Sequence, residues 1–292
     1  MNGVINLLKP PGMTSFQAAS FVHRLTGLKT GHGGTLDPEA AGVLPILAGR
    51  ATKLFDYIVE GQKVYVAGLQ FGVLTDTQDA QGKVIGRSSV LPDRQAIEQA
   101  LPAFEGDIMQ TPPMYSAIKK DGKRLYTLAR QGVEVKREAR QVRVEKIDYL
   151  FEESDGCTLR IVCGKGVYIR TLLVDIASFL GALGIMRYLI REQVGNFHIN
   201  QALSPKELET LANLYPDGQG WLRNPDDYLN YPKVQVKEES QKKFKNGVPL
   251  TKEDLFSFPK EDTLVSMYLQ DQFFAIGQAK DLQIKTLVRY QL

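Results

Sequence analysis

Helical stripes and strand-like alternation follow one another irregularly along this chain, and that order predicts an α+β fold. Two further observations set the domain organisation. At 292 residues the chain suits one large domain or two unequal ones, at roughly 150 residues per domain. The segment WLRNPDDYLNYPKV, residues 221–234, is rich in proline and turn residues and reads as a linker, and strand-like alternation dominates after it. The expected division is therefore a domain over 1–230 and a small β-rich module over 231–292.

The elements follow from local signals. Thr14 and Gln17 form a capping box, Phe16, Ala19 and Val22 share a helical face, and Gly27 stands past its end. Lys63–Phe71 alternates, with Tyr65, Ala67, Leu69 and Phe71 on one side of a strand. The turn-rich TDTQDAQGK, residues 75–83, leads to a partner strand. Asp93 caps a helix that gathers Ile97, Ala100, Leu101 and Phe104. Strands are expected at Gln141–Tyr149 and Cys157–Cys163. Leu172, Ile176 and Leu180 mark the stripe of a further helix, and Ser204-Pro205-x-Glu207 opens another. Leu264–Leu269 and Phe273–Ala279 read as strands of the tail.

Composition removes several function classes. Hydrophobic residues make up 43% and aromatics 9%, enough for a sizeable core and too many for a disordered chain. No apolar run reaches the ~18 residues of a membrane span, and the N-terminal MNGVINLLKPPGMTS has no basic leader or cleavage site. Cys157 and Cys163 lie on one face of a strand, about 20 Å apart at about 3.3 Å per residue, too far for a disulfide. They read as inert core cysteines in a reducing, cytoplasmic compartment. The three histidines, His23, His32 and His198, cannot build a three-histidine metal site with a separate base, so no metal is expected. The phosphate-loop, dinucleotide, serine-hydrolase and zinc-hydrolase motifs are all missing.

Charge is unevenly placed. The net charge is +3, yet residues 119–146 hold ten Lys/Arg against four Asp/Glu, so this stretch is +6 and the remainder −3. A charge run is often only a solvated face; interleaved tyrosines and glycines tilt this one toward nucleic acid.

Two segments could carry chemistry. In GHGGTLDPEAAGVLPI, Asp37 precedes Pro38, which pushes it into an extended or turn conformation. An isolated Asp-Pro is usually a turn aspartate capping its own backbone. Here glycines precede it and an apolar stretch follows, so the carboxylate is placed to be partly desolvated and nucleophilic. In GKGVYIRTLLVDIASFLG, Arg170 falls in the first turn of a helix, where the dipole disfavours a cation. A cation there calls for a carboxylate or phosphate partner, unless it is an ordinary surface arginine.

Together the segments resemble the TruB family of tRNA pseudouridine synthases. The matching stretches run in order: GVINLLKPPGMTS (3–15), GHGGTLDPEAAGVLPI (31–46), KVYVAGLQFGVLTDTQDAQG (63–82), PPMYSAIKKDGKRLYTLARQG (112–132), KGVYIRTLLVDI (165–176) and YLIREQVG (188–195). The resemblance implies a mixed, mainly antiparallel sheet flanked by helices and loops, with a PUA-like RNA-binding module as the tail. It implies isomerisation of uridine to pseudouridine in the T-arm of tRNA, at position 55, with no cofactor. By motif position Asp37 takes the place of the essential aspartate, and Arg170 pairs with it. His32 contacts RNA around the flipped nucleotide, Tyr65 stacks on the target base, Asp79 is the acidic residue of T-D-T-x-D, and Tyr168 and Leu189 line the uridine site. Lys119, Lys120, Lys123 and Arg124, within the basic segment of about 112–146, would grip a tRNA T stem-loop. No membrane and no obligate protein partner are expected, and a monomer is favoured. The rival readings are a silent RNA-binding or RNA-folding protein and a guide-RNA-dependent relative. Two positions depart from the pattern: Gly33 stands where threonine is common, and Leu74 where arginine is common.

Overall fold

The computed structural model describes residues 1–116, 118–120 and 122–291, with the backbone alone for Lys119, Lys120, Lys123, Arg124 and Arg130. Apolar runs with little polar interruption build one end of the main sheet. Gly3–Lys9 and Ala41–Ala48 are buried on both faces and pair antiparallel along their full length. Outward from them the order continues through Gly184–Val194, Lys63–Phe71, Gly156–Cys163 and Arg140–Glu153 to Gly106–Gln110. Only Ala41–Ala48 and Gly184–Val194 run parallel in this row. Thr30–His32 and Phe197–His198 add short pairings at the margin. The sheet is mixed and mainly antiparallel, as expected.

Helices cover it. Ser15–Thr26 starts at the Thr14–Gln17 capping box and ends at Gly27, whose φ of 68° is the left-handed conformation that glycine adopts without penalty. Ile169–Phe179 lays Leu172, Leu173, Ile176 and Ala177 against Leu69, Cys157, Leu159, Ile161 and Cys163 of the sheet. Each fully buried leucine or isoleucine there contributes about 1.5–3 kcal/mol. Both cysteines are free and buried, and burial pushes each thiol up to about 12, which keeps it protonated and inert. Pro205–Leu214 opens with the Ser204–Glu207 capping box.

One expected pairing is corrected. The strand after the 75–83 turn, Val84–Arg87, pairs with Val73–Thr75 and not with Lys63–Phe71. Gly72, at φ 86°, turns the chain out of the main sheet first, and the long strand finds its partners in Gly156–Cys163 and Gly184–Val194.

Beyond residue 230 a five-stranded sheet forms in the order Lys233–Gln235, Leu264–Leu269, Gln272–Lys280, Gln283–Arg289, Leu250–Thr251. It has its own core around Phe244, Val265, Met267 and Phe274. Tyr268, Phe273, Ile276 and Tyr290 instead join Val4, Val43, Leu47 and Phe197 in one shared cluster. The Tyr290 hydroxyl donates to the Asn2 carbonyl at 2.7 Å, and Tyr228 stacks flat on Phe197 with ring centroids 3.8 Å apart. The proline-containing segment before the tail is thus packed: Trp221 and Asp226 are both buried. No helix among the described residues is long and apolar enough to cross a membrane.

Candidate active site

The Asp37 loop is held from three sides. Its own carbonyl accepts the Ala40 N–H at 3.1 Å, closing the turn that Pro38 favours. Ser15 donates through Oγ to the Leu36 carbonyl at 2.9 Å and accepts the Leu36 N–H at 2.8 Å. The Gly12 N–H and the Lys9 ammonium both donate to the Pro38 carbonyl, at 3.0 and 2.9 Å. Lys9 is fully buried and also donates to the carbonyls of Pro10 and Met13 at 2.8 and 2.7 Å. Burial lowers this lysine to about 8, while the nearby Glu39 and Asp37 pull it back up.

Arg170 reaches the carboxylate from the Ile169–Phe179 helix. Its Nε lies 3.0 Å from Asp37 Oδ2, and a second guanidinium nitrogen donates to Asp37 Oδ1 at 3.3 Å. The same fork donates to the Thr77 carbonyl at 3.0 Å and the Tyr115 carbonyl at 2.8 Å, and stands 3.6 Å from Asp79 Oδ2. A buried cation at the start of a helix thus has two carboxylates and two carbonyls facing it, as its position requires. Asp79 is fixed in turn by the Thr77 hydroxyl at 2.6 Å and the Gln81 N–H at 3.0 Å. Gln78 sits between them at φ 65°. There the Met186 N–H donates to its carbonyl at 3.0 Å, and the Thr171 hydroxyl to its amide oxygen at 3.0 Å.

Burial pushes the Asp37 carboxyl above its ordinary 3.8. The Arg170 charge opposes that rise, and Asp79 reinforces it. The Asp37 side chain keeps 35% of its surface exposed against 7% for Arg170, so the aspartate still meets solvent while the arginine is shut away from it.

The loop adjoins the apolar core. Tyr65 and Leu189 lie in one buried cluster with Leu36, Ala40, Ile169 and Leu172. Tyr65 stands on the central strand opposite Ile161 and Arg191, and burial raises its hydroxyl. Tyr168 precedes the Ile169–Phe179 helix, two residues from Arg170. His32 lies on the strand leading into the Asp37 loop; its ring Nδ1 is buried and finds no hydrogen-bond partner among the described residues. Burial and the charge of Arg191 lower its pKa.

Arg170 therefore bridges Asp37 and Asp79, Tyr65 and Leu189 share a buried cluster with Leu36 and Ala40 of the Asp37 loop, and Tyr168 stands two residues before Arg170. The side chains of Lys119, Lys120, Lys123 and Arg124 lie outside the described residues; their backbone pairs as a short hairpin, Lys119 with Arg124 and Lys120 with Lys123. Sequence reasoning gave no role to Lys9 or Arg191. Arg191 is fully buried and donates to the carbonyls of Val43, Gly34 and Thr35 at 2.8, 3.1 and 3.4 Å, pinning the loop ahead of Asp37. Gly42 makes room for it: at φ 114° a Cβ there would stand 2.2 Å from the Arg191 carbonyl oxygen. Lys9 is the single charge of its strand, GVINLLK, whereas the strand of Arg191, GIMRYLIREQV, also carries Arg187 and Glu192, so nothing in its sequence singles Arg191 out. Gly33, one of the two departures, has a local cause. A Cβ at that position would lie 2.6 Å from a Val59 methyl and 2.9 Å from Pro45 Cβ.

No cluster of three or more metal-ligating side chains occurs among the described residues. The sequence profile described as TruB family pseudouridylate synthase (N terminal domain) matches residues 23–169. The chain belongs to the TruB family. Two relatives, each named tRNA pseudouridine synthase B, extend the likeness over nearly its full length. The one from Clostridium kluyveri is 40% identical over 98% of both chains. That from Pseudomonas aeruginosa is 39% identical over 96% of this chain and 93% of the other. Among solved structures, the fold is similar to one described as a Cbf5-Nop10-Gar1 complex, with a TM-score of 0.77 and 26% identity over 99% of this chain and 85% of that one. An archaeal box H/ACA sRNP Nop10-Cbf5 complex shares the fold, with a TM-score of 0.74 at 24% identity. As a TruB-family member the protein is an isomerase of the pseudouridine synthase type.

Proposed function

We propose that this chain converts a uridine of tRNA, at position 55 in the T-arm, to pseudouridine, with Asp37 as the nucleophile. The observation that carries the reading is the paired approach of Arg170 to both Asp37 oxygens, at 3.0 and 3.3 Å, below a partly open carboxylate. The reaction breaks the bond from ribose C1′ to uracil N1, rotates the base and rejoins C1′ to C5. The hydrogen on C5 is lost and N1 gains one, so nothing is consumed. Asp37 acts on the sugar–base unit, and Arg170 keeps it ionised and aimed. Tyr65 and Leu189 give the detached uracil an apolar, water-poor seat, and His32 meets RNA beside the extruded nucleotide. Asp79 steadies the far side of Arg170. Domain 1–230 would hold the chemistry and 231–292 a PUA-like grip on RNA. The protein would work in the cytoplasm on tRNA without an obligate protein partner.

A transcript of unmodified tRNA carrying tritium at uridine C5 tests this. The purified chain, with no guide RNA added, should release one tritium per tRNA, and a transcript with cytidine at position 55 should release none. Release that requires a guide RNA would place the chain with the guide-dependent relatives. No release under either condition would leave an RNA-binding protein.

The acid limb of kcat/KM should report Asp37. Its ionised form is the reactive one and its pKa is raised, so the rate should fall on acidification at a pH above the ordinary aspartate value of 3.8. A limb at or below that value would contradict the desolvated setting.

The basic hairpin should govern salt dependence. Neutralising Lys119, Lys120, Lys123 and Arg124 singly, in pairs and together should flatten the slope of log affinity against log salt, by roughly 0.7–0.9 per phosphate contact removed. The rate at saturating tRNA should change far less. A constant slope across the series would make the hairpin a solvated face.

A further inference from the structure

Tyr168 occupies the N-cap position of the helix that carries Arg170, and its side chain forms no cap hydrogen bond. The main chain of Tyr168 is held from elsewhere in the chain. Gln110 is fully buried on the outer strand of the main sheet, and its amide oxygen accepts the Tyr168 N–H at 2.8 Å. Its amide nitrogen donates to the Tyr168 carbonyl at 3.1 Å. Directly across the strand pair from Gln110 stands Arg140. The guanidinium carbon of Arg140 lies 5.3 Å from the centre of the Tyr168 ring, and the group donates to the Gly166 carbonyl at 2.8 Å. One residue therefore holds the main chain of Tyr168 and its cross-strand neighbour holds the ring.

We infer that Gln110 and Arg140 are a positioning pair that fixes Tyr168 and, through the first helical turn, the approach of Arg170 to Asp37. The inference rests on the proposed roles of Asp37, Arg170 and Tyr168. Neither member of the pair touches Asp37, so both act through the residues they hold. Loosening the pair should swing the helix start. A displacement of about 1 Å at a reacting group can cost about 10²-fold in rate.

The test compares Gln110→Ala, Gln110→Glu and Arg140→Met with wild type and with Asp37→Asn. In Gln110→Ala and Arg140→Met, kcat should fall about tenfold to a hundredfold while KM for tRNA changes by less than about threefold. Gln110→Glu keeps the acceptor for the Tyr168 N–H but loses the donor to the Tyr168 carbonyl, so it should recover part of the rate lost in Gln110→Ala. The acid limb is the readout that a merely structural role would not move. The charged groups facing Asp37 are Arg170, Asp79 and Lys9. If Arg170 draws back, its pull on the Asp37 carboxyl weakens, and the limb should shift to higher pH in both loosened variants. Should Gln110→Ala fail to fold, the partly exposed Arg140→Met decides by itself. A wild-type kcat in a folded Arg140→Met, or a lower kcat with the acid limb unmoved, overturns the positioning role. Asp37→Asn separates the two failures: if it stays active the proposed chemistry falls, and if it is dead while the pair variants are normal only this inference falls.

Discussion

Asp37→Asn is expected to abolish turnover on tRNA, with a loss approaching the roughly 10⁶-fold seen when a nucleophile is deleted. The amide keeps the shape of the side chain and removes both the charge and the nucleophilic oxygen. The fold should tolerate the change. Burial raises the Asp37 carboxyl, so its ionised form is the one folding disfavours above that raised value. A neutral amide escapes this cost at neutral pH, and Asp79 remains near the Arg170 cation at 3.6 Å. The melting temperature should therefore hold or rise, and tRNA affinity should stay near wild type. Turnover within tenfold of wild type in a tritium-release assay would remove Asp37 from the chemistry.

Arg170→Lys should be the next most damaging change, about 10²-fold or more in kcat. The guanidinium meets both Asp37 oxygens, the Thr77 and Tyr115 carbonyls and Asp79 from one planar fork. An ammonium has three donors around a single atom and cannot span those directions. It would settle toward one carboxylate and leave the other partners short. Arg170→Met goes further, since it leaves two carboxylates facing each other without a cation, and should cost stability as well as rate. A near-normal kcat in a folded Arg170→Lys would mean that the ion pair does not orient Asp37.

What could be read from the sequence was mostly local. The Thr14–Gln17 and Ser204–Glu207 capping boxes form as expected because each is closed within four residues. The face of Lys63–Phe71 was legible because alternation fixes which side chains turn inward, and Tyr65, Ala67, Leu69 and Phe71 are all buried. Pairing was not legible. Nothing near residues 75–83 tells the chain that Gly72 turns it aside, or that the long strand finds its neighbours about a hundred residues later. The site divides in the same way. An arginine at an unfavourable helix end announced that it needed an anion, but the partner stands 133 residues away and only the family resemblance named it. Lys9 and Arg191 bind carbonyl oxygens, and carbonyls belong to every residue, so no motif records their role.

The last tyrosine of the chain closes on its second residue, and the aromatic cluster beneath that contact belongs to both sheets at once. A joint of that kind has no swivel. A tail on a loose tether would sample many distances from Asp37, and any RNA it caught would wander accordingly. On the proposed reading, in which the tail grips RNA, it would serve as the fixed jaw of a caliper. The RNA it holds would be set at one offset from the carboxylate, and that offset would select a nucleotide by its distance along a folded RNA before any base edge is read.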